Sequence, residues 1–65
     1  MDLFAIGCDD GVIFIYKMSK NKKESQEMFK NKIHGGRVMS IKFDGLRGIL
    51  YSIGEDGMLR CINTH

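Results

Sequence analysis

The sequence predicts an all-β chain of six antiparallel strands, and three observations carry this prediction. The apolar segments are short and rich in β-branched and aromatic side chains, which suit pleated strands. Turns that contain glycine separate these segments, and the chain has eight glycines but no proline. The segment with the best helical propensity, residues 24–33, has only a thin apolar stripe, so we expect an extended strand there instead.

The first half of the chain predicts a hairpin, a loop and an edge strand. Residues 3–8 and 12–16 are apolar and flank the turn residues Asp9 to Gly11, where glycine supplies the positive φ of a tight turn. Residues 17–25 are polar and basic, which predicts a loop. Residues 26–32 are expected to form an edge strand, whose lysines discourage pairing with other chains.

The second half predicts three more strands joined by tight turns. The first of these alternates apolar and polar residues, as expected for a strand with one covered face. The predicted strands cover residues 37–43, 49–53 and 58–63, and the turns cover residues 34–36, 44–48 and 55–57.

The chain is small for an independent domain. It has 65 residues and a mass of 7.4 kDa. Folded units below about 70–80 residues usually need a disulfide, a metal or a partner, because a single small core is marginally stable. The two cysteines, Cys8 and Cys61, are far apart in sequence and lack metal-ligand spacing. We therefore expect these residues to be part of something larger, or to associate with other copies.

The chain also resembles itself at a fixed offset. Asp10-Gly11 recurs as Asp56-Gly57, forty-six residues later, and each pair lies between two apolar strands. A period in the forties with four strands per unit is typical of β-propellers, in which each unit forms one blade. The sequence therefore predicts a fragment of a β-propeller, with parts of two adjacent blades.

The same residues resemble the WD-repeat β-propeller family over nearly the whole chain. Residues 28–63 are similar to one repeat: a His-Gly-Gly turn at 34–36, then Arg-Val-x-x-Ile-x-Phe, Leu-x-Ser and Gly-Glu-Asp-Gly. Residues 3–17 are similar to the second half of the preceding repeat. The resemblance implies that residues 1–33 supply strands two to four of one blade, and residues 34–65 supply strands one to three of the next.

The resemblance also implies a structural hydrogen-bond network within each blade. In the family a histidine, a strand serine, a turn aspartate and a tryptophan brace the blade. By match, the second repeat keeps His34, Ser52 and Asp56, whereas the first keeps Asp10. The Trp-Asp dipeptide that names the family is absent from both repeats: its positions hold Tyr16-Lys17 and Ile62-Asn63, and serine is replaced by isoleucine in the first repeat. The two turn glycines are Gly11 and Gly57.

A further combination is similar to WD-repeat proteins that carry a FYVE zinc finger. It consists of Ala-Ile-Gly-x-Asp-x-Gly-x-Ile at residues 5–13 and His-x-x-Arg-Val at residues 34–38. This resemblance implies that the full protein sits on endosomal membranes through a separate finger, which these residues do not include.

The sequence predicts a scaffold that binds other proteins, and it does not predict an enzyme. No nucleophile, base and metal-ligand residues occur at spacings that indicate catalysis or a cofactor. The family resemblance implies that proteins or peptides bind at a rim formed by residues 9–11, 32–37 and 55–57, with Arg37, Asp9 and Glu55 as contacts. The structural partners would be the remaining blades or other copies of the chain. Two distant cysteines and no signal-peptide pattern indicate a cytoplasmic location.

An alternative function rests on charge. The net charge is +2, and residues 17–32 hold six of the lysines. A basic segment of this kind can bind anionic lipid or nucleic acid, with Lys20, Lys22 and Lys23 as contacts. Its lysines have no aromatic residue among them in sequence before Phe29, which favours a solvated loop.

Overall fold

A computed structural model describes residues 2–21 and 23–64, with only the backbone of Asp2, and shows the predicted all-β architecture. These residues form six strands and no helix. The strands are β1 (Asp2–Gly7), β2 (Val12–Met18), β3 (Ser25–Lys32), β4 (Val38–Asp44), β5 (Ile49–Gly54) and β6 (Leu59–Asn63). The prediction of six antiparallel strands is thereby confirmed.

The strands form two antiparallel sheets of three strands each. The first sheet has the order β1-β2-β3 and the second has the order β4-β5-β6. Each sheet is a simple meander, in which every strand pairs with its neighbour in sequence. Two three-stranded meanders that follow one another in the chain are consistent with incomplete parts of two adjacent propeller blades.

The two sheets pack face to face around a small aliphatic core. Ile13 and Ile15 of β2 and Leu50 and Ile62 of the second sheet are its buried members. The sheets approach most closely where β1 crosses β4. Gly7 permits this close approach, because a Cβ at its position would lie 2.6 Å from the Cγ1 atom of Val38. One face of each sheet is therefore covered by the other sheet.

The turn between β1 and β2 is a three-residue loop that ends in a glycine bulge. The Cys8 N–H donates to the Val12 carbonyl at 2.9 Å, and the Gly11 N–H donates to the Cys8 carbonyl at 3.1 Å. Gly11 has a φ of 88°, which glycine adopts readily. The Asp10 carboxylate accepts a hydrogen bond from the Val12 N–H at 3.1 Å and so closes the turn.

The turn between β5 and β6 repeats this geometry forty-six residues later. The Gly54 N–H donates to the Met58 carbonyl at 3.3 Å, and the Gly57 N–H donates to the Gly54 carbonyl at 3.1 Å. Gly57 has a φ of 77°, and the Asp56 carboxylate accepts from the Met58 N–H at 3.1 Å. The internal repeat in the sequence is thus a repeat in backbone structure.

The prediction of a basic loop over residues 17–25 is wrong at both ends. Lys17 and Met18 continue β2 and pair with Gln26 and Ser25 of β3. The connection is therefore residues 19–24, and the Ser19 N–H closes it by donating to the Glu24 carbonyl at 2.9 Å. The hairpin can extend through this segment because strand pairing uses backbone groups, which every residue except proline supplies.

Cys8 is half-buried, Cys61 is exposed, and both are free thiols. Among the described residues, none forms a helix with the length and hydropathy needed to cross a membrane.

Candidate functional site

Three loops meet at one end of the molecule and form the surface that we call the rim, residues 9–11, 32–37 and 55–57. The Ile33 and His34 N–H groups both donate to the Gly11 carbonyl, at 2.9 and 3.2 Å. The Val38 N–H donates to the Cys8 carbonyl at 3.1 Å. These backbone bonds join the turn of the first hairpin to the connection between β3 and β4, residues 33–37, which we call the crossover.

Gly11 makes this junction possible. A Cβ at this position would overlap the carbonyl group of His34 and would lie 2.8 Å from the carbonyl oxygen of Gly36. The positive φ of Gly11 excludes most other residues independently of this contact. Both the turn and its close packing therefore require glycine here.

His34 connects the crossover to the second sheet through its side chain. The imidazole is 2% exposed, and its Nε2 lies 2.9 Å from the Ser52 hydroxyl. On the other side of the ring, Nδ1 lies 3.1 Å from Oδ1 of Asp56. We call His34, Ser52 and Asp56 the His34 network; these are the residues that the sequence resemblance singles out.

The His34 network satisfies every polar atom of a buried ring. An ionised carboxylate only accepts hydrogen bonds, so Nδ1 carries the proton that is donated to Asp56. Nε2 then accepts from the Ser52 hydroxyl, which is 1% exposed. Gly54 leaves room for the ring, because a Cβ at that position would overlap it. The histidine therefore holds the crossover to the second sheet, and both His34 and Ser52 are buried away from solvent.

Asp56 joins the His34 network to the crossover and closes its own turn. Its Oδ2 accepts from the Gly35 N–H at 2.8 Å, and its Oδ1 accepts from the Met58 N–H. The hydrogen bond from Gly35 holds the pKa of Asp56 below its ordinary value, and the bonds from Met58 and His34 act in the same direction against desolvation. Asp56 is therefore ionised at neutral pH.

Arg37 and Glu55 form the exposed part of the rim. The Arg37 guanidinium lies 3.3 Å from the Glu55 carboxylate, and the two side chains are 53% and 54% exposed. Their backbones are also joined, because the Glu55 N–H donates to the Arg37 carbonyl at 2.9 Å. The rim thus presents this exposed ion pair on a backbone that is fixed by hydrogen bonds.

The two acidic residues of the first turn play different roles. Asp9 is exposed on the rim. Asp10 caps its own turn through Val12, and the structure shows no contact between Asp10 and the His34 network. The structure therefore brings Asp9 to the same end of the molecule as Arg37 and Glu55, and it leaves Asp10 in a local role.

The predicted anion contacts lie away from the rim, in the β2–β3 connection. Lys20 and Lys23 are exposed there, and Lys22 lies outside the described residues. Within residues 2–21 and 23–64, no group of three or more His, Cys, Asp or Glu side chains is placed to hold a metal ion.

The sequence reasoning missed a row of aromatic side chains on the outer face of the first sheet. The rings of Phe4 and Tyr16 stack with centroids 5.2 Å apart, and Phe14 follows at 6.1 Å from Tyr16. The Lys30 ammonium lies 5.4 Å from the centre of the Phe14 ring. Strand alternation places Phe14 and Tyr16 on one face, but only the strand register adds Phe4 and Lys30, which come from β1 and β3.

Comparisons with family models, with curated proteins and with solved structures return no match to this chain.

Proposed function

We propose that this chain is a segment of a cytoplasmic WD-repeat propeller, and that it acts as a non-catalytic scaffold whose rim binds proteins or peptides. The observation that carries the proposal is the convergence of three loops into one braced surface. Backbone bonds tie Gly11 to His34, and the Asp56 carboxylate ties the third loop to Gly35. A surface that is already rigid loses little conformational entropy on binding, which favours recognition.

The uncovered faces of the two sheets support the propeller part of this proposal. On the first sheet, Phe4 and Ile6 are 39% and 44% exposed on the face turned away from the core. On the second sheet, Ile53 and Leu59 are 49% and 61% exposed on the opposite outer face. Propeller blades bury both faces against neighbouring blades, so further blades or other copies would cover these residues.

The rim chemistry supports binding rather than catalysis. His34 and Ser52 are buried inside the His34 network, where a bound substrate would not contact them. The exposed charged groups of the rim include Arg37, Lys32 and acidic side chains, which suit polar anchoring of a peptide, and arginine is enriched among residues that dominate binding energy. No cofactor is required for this function.

Peptide selection tests the rim directly. We would select peptides from a random displayed library on the wild-type chain and measure their affinity by fluorescence anisotropy. Replacement of Arg37 by alanine is expected to weaken rim-binding peptides by about tenfold or more. Lys42→Ala is the matched control, because Lys42 is exposed on β4, outside the rim. The proposal is wrong if the selected peptides bind the Arg37 variant as well as the wild type.

A second candidate function, binding of single-stranded nucleic acid, is favoured by the aromatic row. Phe14 and Tyr16 lie on the same sheet face as Lys30 and Lys32 of β3, so aromatic rings and cations adjoin in space although not in sequence. Stacking of bases on aromatic side chains combined with cations is the usual chemistry of such sites. In this reading Lys20 and Lys23 extend the basic surface.

Salt dependence separates this candidate from rim binding. Binding of labelled oligothymidylate should weaken steeply with salt, with a log–log slope of about −0.7 per phosphate neutralised. Neutralising Lys20, Lys22 and Lys23 together should weaken it further and should leave rim peptides unaffected. Anionic vesicles would distinguish a lipid surface from nucleic acid, and a protein that binds neither has no such function.

A further inference from the structure

The chain contains three Asp-Gly pairs, and each lies at a turn between two strands. They are Asp10-Gly11, Asp44-Gly45 and Asp56-Gly57. An aspartate followed by glycine is prone to isomerisation, because no side chain on glycine hinders attack by its backbone nitrogen on the aspartate carboxyl group. The folded chain gives the three pairs different surroundings, so they are not expected to react alike.

The pairs in the two repeated turns are held against this reaction. The Gly11 N–H donates to the Cys8 carbonyl, and the Gly57 N–H donates to the Gly54 carbonyl, both at 3.1 Å. The nitrogen must lose this proton in order to attack, so each hydrogen bond opposes the reaction. Gly11 is also buried, and the Asp56 carboxylate is fixed within the His34 network.

The pair in the β4–β5 turn lacks this protection. Among the described residues, no group accepts a hydrogen bond from the Gly45 N–H. Gly45 is exposed and the next residue, Leu46, is 95% exposed, so water reaches the pair freely. The Gly45 nitrogen is therefore available to lose its proton.

The Asp44 carboxylate already lies over the chain that follows it. It accepts from the Leu46 and Arg47 N–H groups at 3.1 and 3.2 Å. The ring closed by the Leu46 bond includes the Gly45 nitrogen, which holds the carboxyl carbon close to that nitrogen. Asp10 and Asp56 close the same kind of ring, so the glycine N–H is what distinguishes the three pairs.

The fold does not require glycine at position 45. Gly11, Gly48 and Gly57 have positive φ, whereas Gly45 does not. A Cβ at Gly45 would contact the Phe43 ring at 3.6 Å, which is an ordinary van der Waals distance. Alanine would therefore fit this position without strain, and the glycine leaves the preceding aspartate reactive.

We propose that Asp44-Gly45 is a site of spontaneous aspartate isomerisation in the folded chain, and that the other two Asp-Gly pairs are protected. The Gly45 nitrogen loses its proton and bonds to Cγ of Asp44 in its acid form, and the carboxyl hydroxyl leaves with a proton as water. The product is a five-membered succinimide. Water then opens this ring: addition at Cγ restores aspartate, and addition at the α-carbonyl gives isoaspartate.

Isoaspartate at position 44 would alter the β4–β5 turn. Its backbone runs through Cβ and Cγ, which adds one carbon to the chain between the two strands. The Asp44 carbonyl, which accepts from the Gly48 N–H at 2.8 Å, would become part of a carboxylate side group. The Thr64 N–H and hydroxyl both donate to the Gly48 carbonyl, so the change would also reach the residue after β6. We expect the isomerised chain to unfold at a lower urea concentration.

Ageing of the 65-residue chain at 37 °C and pH 7.4 tests the proposal. Trypsin cuts after lysine and arginine, so the three pairs fall in separate peptides, residues 1–17, 43–47 and 48–60. Mass spectrometry with electron-transfer dissociation measures isoaspartate in each peptide. In buffer, residues 43–47 should accumulate isoaspartate at least tenfold faster than the other two peptides. In concentrated guanidinium chloride, where the turn hydrogen bonds are lost, the three rates should become similar.

Two variants connect the reaction to the glycine. Gly45→Ala should slow isomerisation of Asp44 severalfold, because a Cβ hinders the approach of the nitrogen while the turn is kept. Leu46→Ala is the matched control, since it changes an exposed side chain of the same turn and keeps the Asp-Gly pair. Its rate should equal that of the wild type.

Three results would overturn the proposal. Equal rates at the three pairs in buffer would show that the turn hydrogen bonds give no protection. Absence of isoaspartate at Asp44, over a period in which the denatured chain accumulates it, would show that this turn is protected as well. An unchanged rate in Gly45→Ala would show that attack by this nitrogen does not limit the reaction.

Discussion

The hairpins β1–β2 and β5–β6 have the same turn, but their surroundings differ. In both, a glycine with positive φ ends a three-residue loop, and an aspartate accepts from the N–H two residues later. Asp56 also accepts from Gly35 and contacts His34, whereas Asp10 shows only its local bond. The difference arises because the crossover that carries His34 packs against the second sheet. A turn is thus encoded locally, but its role in the fold depends on what packs over it.

The two sheets also differ in the burial of equivalent residues. Ile6 and Ser52 occupy equivalent places before the two turns, yet Ile6 is 44% exposed and Ser52 is 1% exposed. The reason is that the two sheets do not bury corresponding faces. Ile6 lies on the uncovered face of the first sheet, whereas Ser52 lies on the covered face of the second. Equivalent residues therefore have opposite environments, and one isoleucine is left outside while one serine is buried.

The largest expected effect is the difference in free energy of unfolding between alanine variants of the two turn glycines. Gly57→Ala should lower the free energy of unfolding by about 1–2 kcal/mol, the cost of a left-handed conformation for a residue with a Cβ. Gly11→Ala should carry the same conformational cost and an additional overpacking cost of about 1–3 kcal/mol. The reason is that its Cβ would meet the His34 carbonyl, whereas nothing lies within 4 Å of a Cβ at Gly57. Urea unfolding followed by circular dichroism measures both.

Equal destabilisation by the two glycine variants would contradict this comparison. It would mean that the backbone contact between Gly11 and the crossover does not hold the hairpin in solution. If Gly11→Ala fails to fold, the same comparison can be made at 5 °C or with a stabilising osmolyte.

The second prediction concerns Ile6 and Ser52. Ser52→Ala should cost about 1–3 kcal/mol, because Nε2 of buried His34 loses its hydrogen-bond partner. Ile6→Ala should cost about 0.5 kcal/mol or less in the 65-residue chain, as expected for an exposed site. The control for loss of a serine hydroxyl is Ser40→Ala, on the exposed part of β4. A larger loss for Ile6 than for Ser52 would show that the outer face of the first sheet is covered in solution.

The smallest expected effect is the pH dependence of stability that Asp56 contributes. Since folding lowers the pKa of Asp56, its carboxylate stabilises the folded state above the ordinary value of 3.8. That contribution is lost as the pH falls through this value towards the folded pKa. The free energy of unfolding should therefore decline in acid, and Asp56→Asn should flatten the decline.

The matched variant for this measurement is Asp10→Asn, which removes the equivalent carboxylate of the first turn. Thermal unfolding at a series of acid pH values compares the two variants. An acid decline that persists unchanged in Asp56→Asn would contradict the prediction.

Much of the fold could be predicted from the sequence because strands and turns depend on local patterns. Apolar runs around Asp-Asp-Gly and Glu-Asp-Gly define both hairpins. His34, Ser52 and Asp56 could be named through the family resemblance before any geometry was known. The ends of the β2–β3 connection were misjudged, because pairing of Lys17 with Gln26 uses backbone groups that a polar sequence does not reveal.

The number of strands, their order along the chain and the two glycine turns can be read from the sequence, since they follow from short-range backbone preferences. The folded chain is needed to see which sheet faces are buried, that Lys30 lies over Phe14 and that an apolar groove opens beside β6. These features join residues far apart in sequence. They depend on strand register and on the packing of one sheet against the other, which no local pattern specifies.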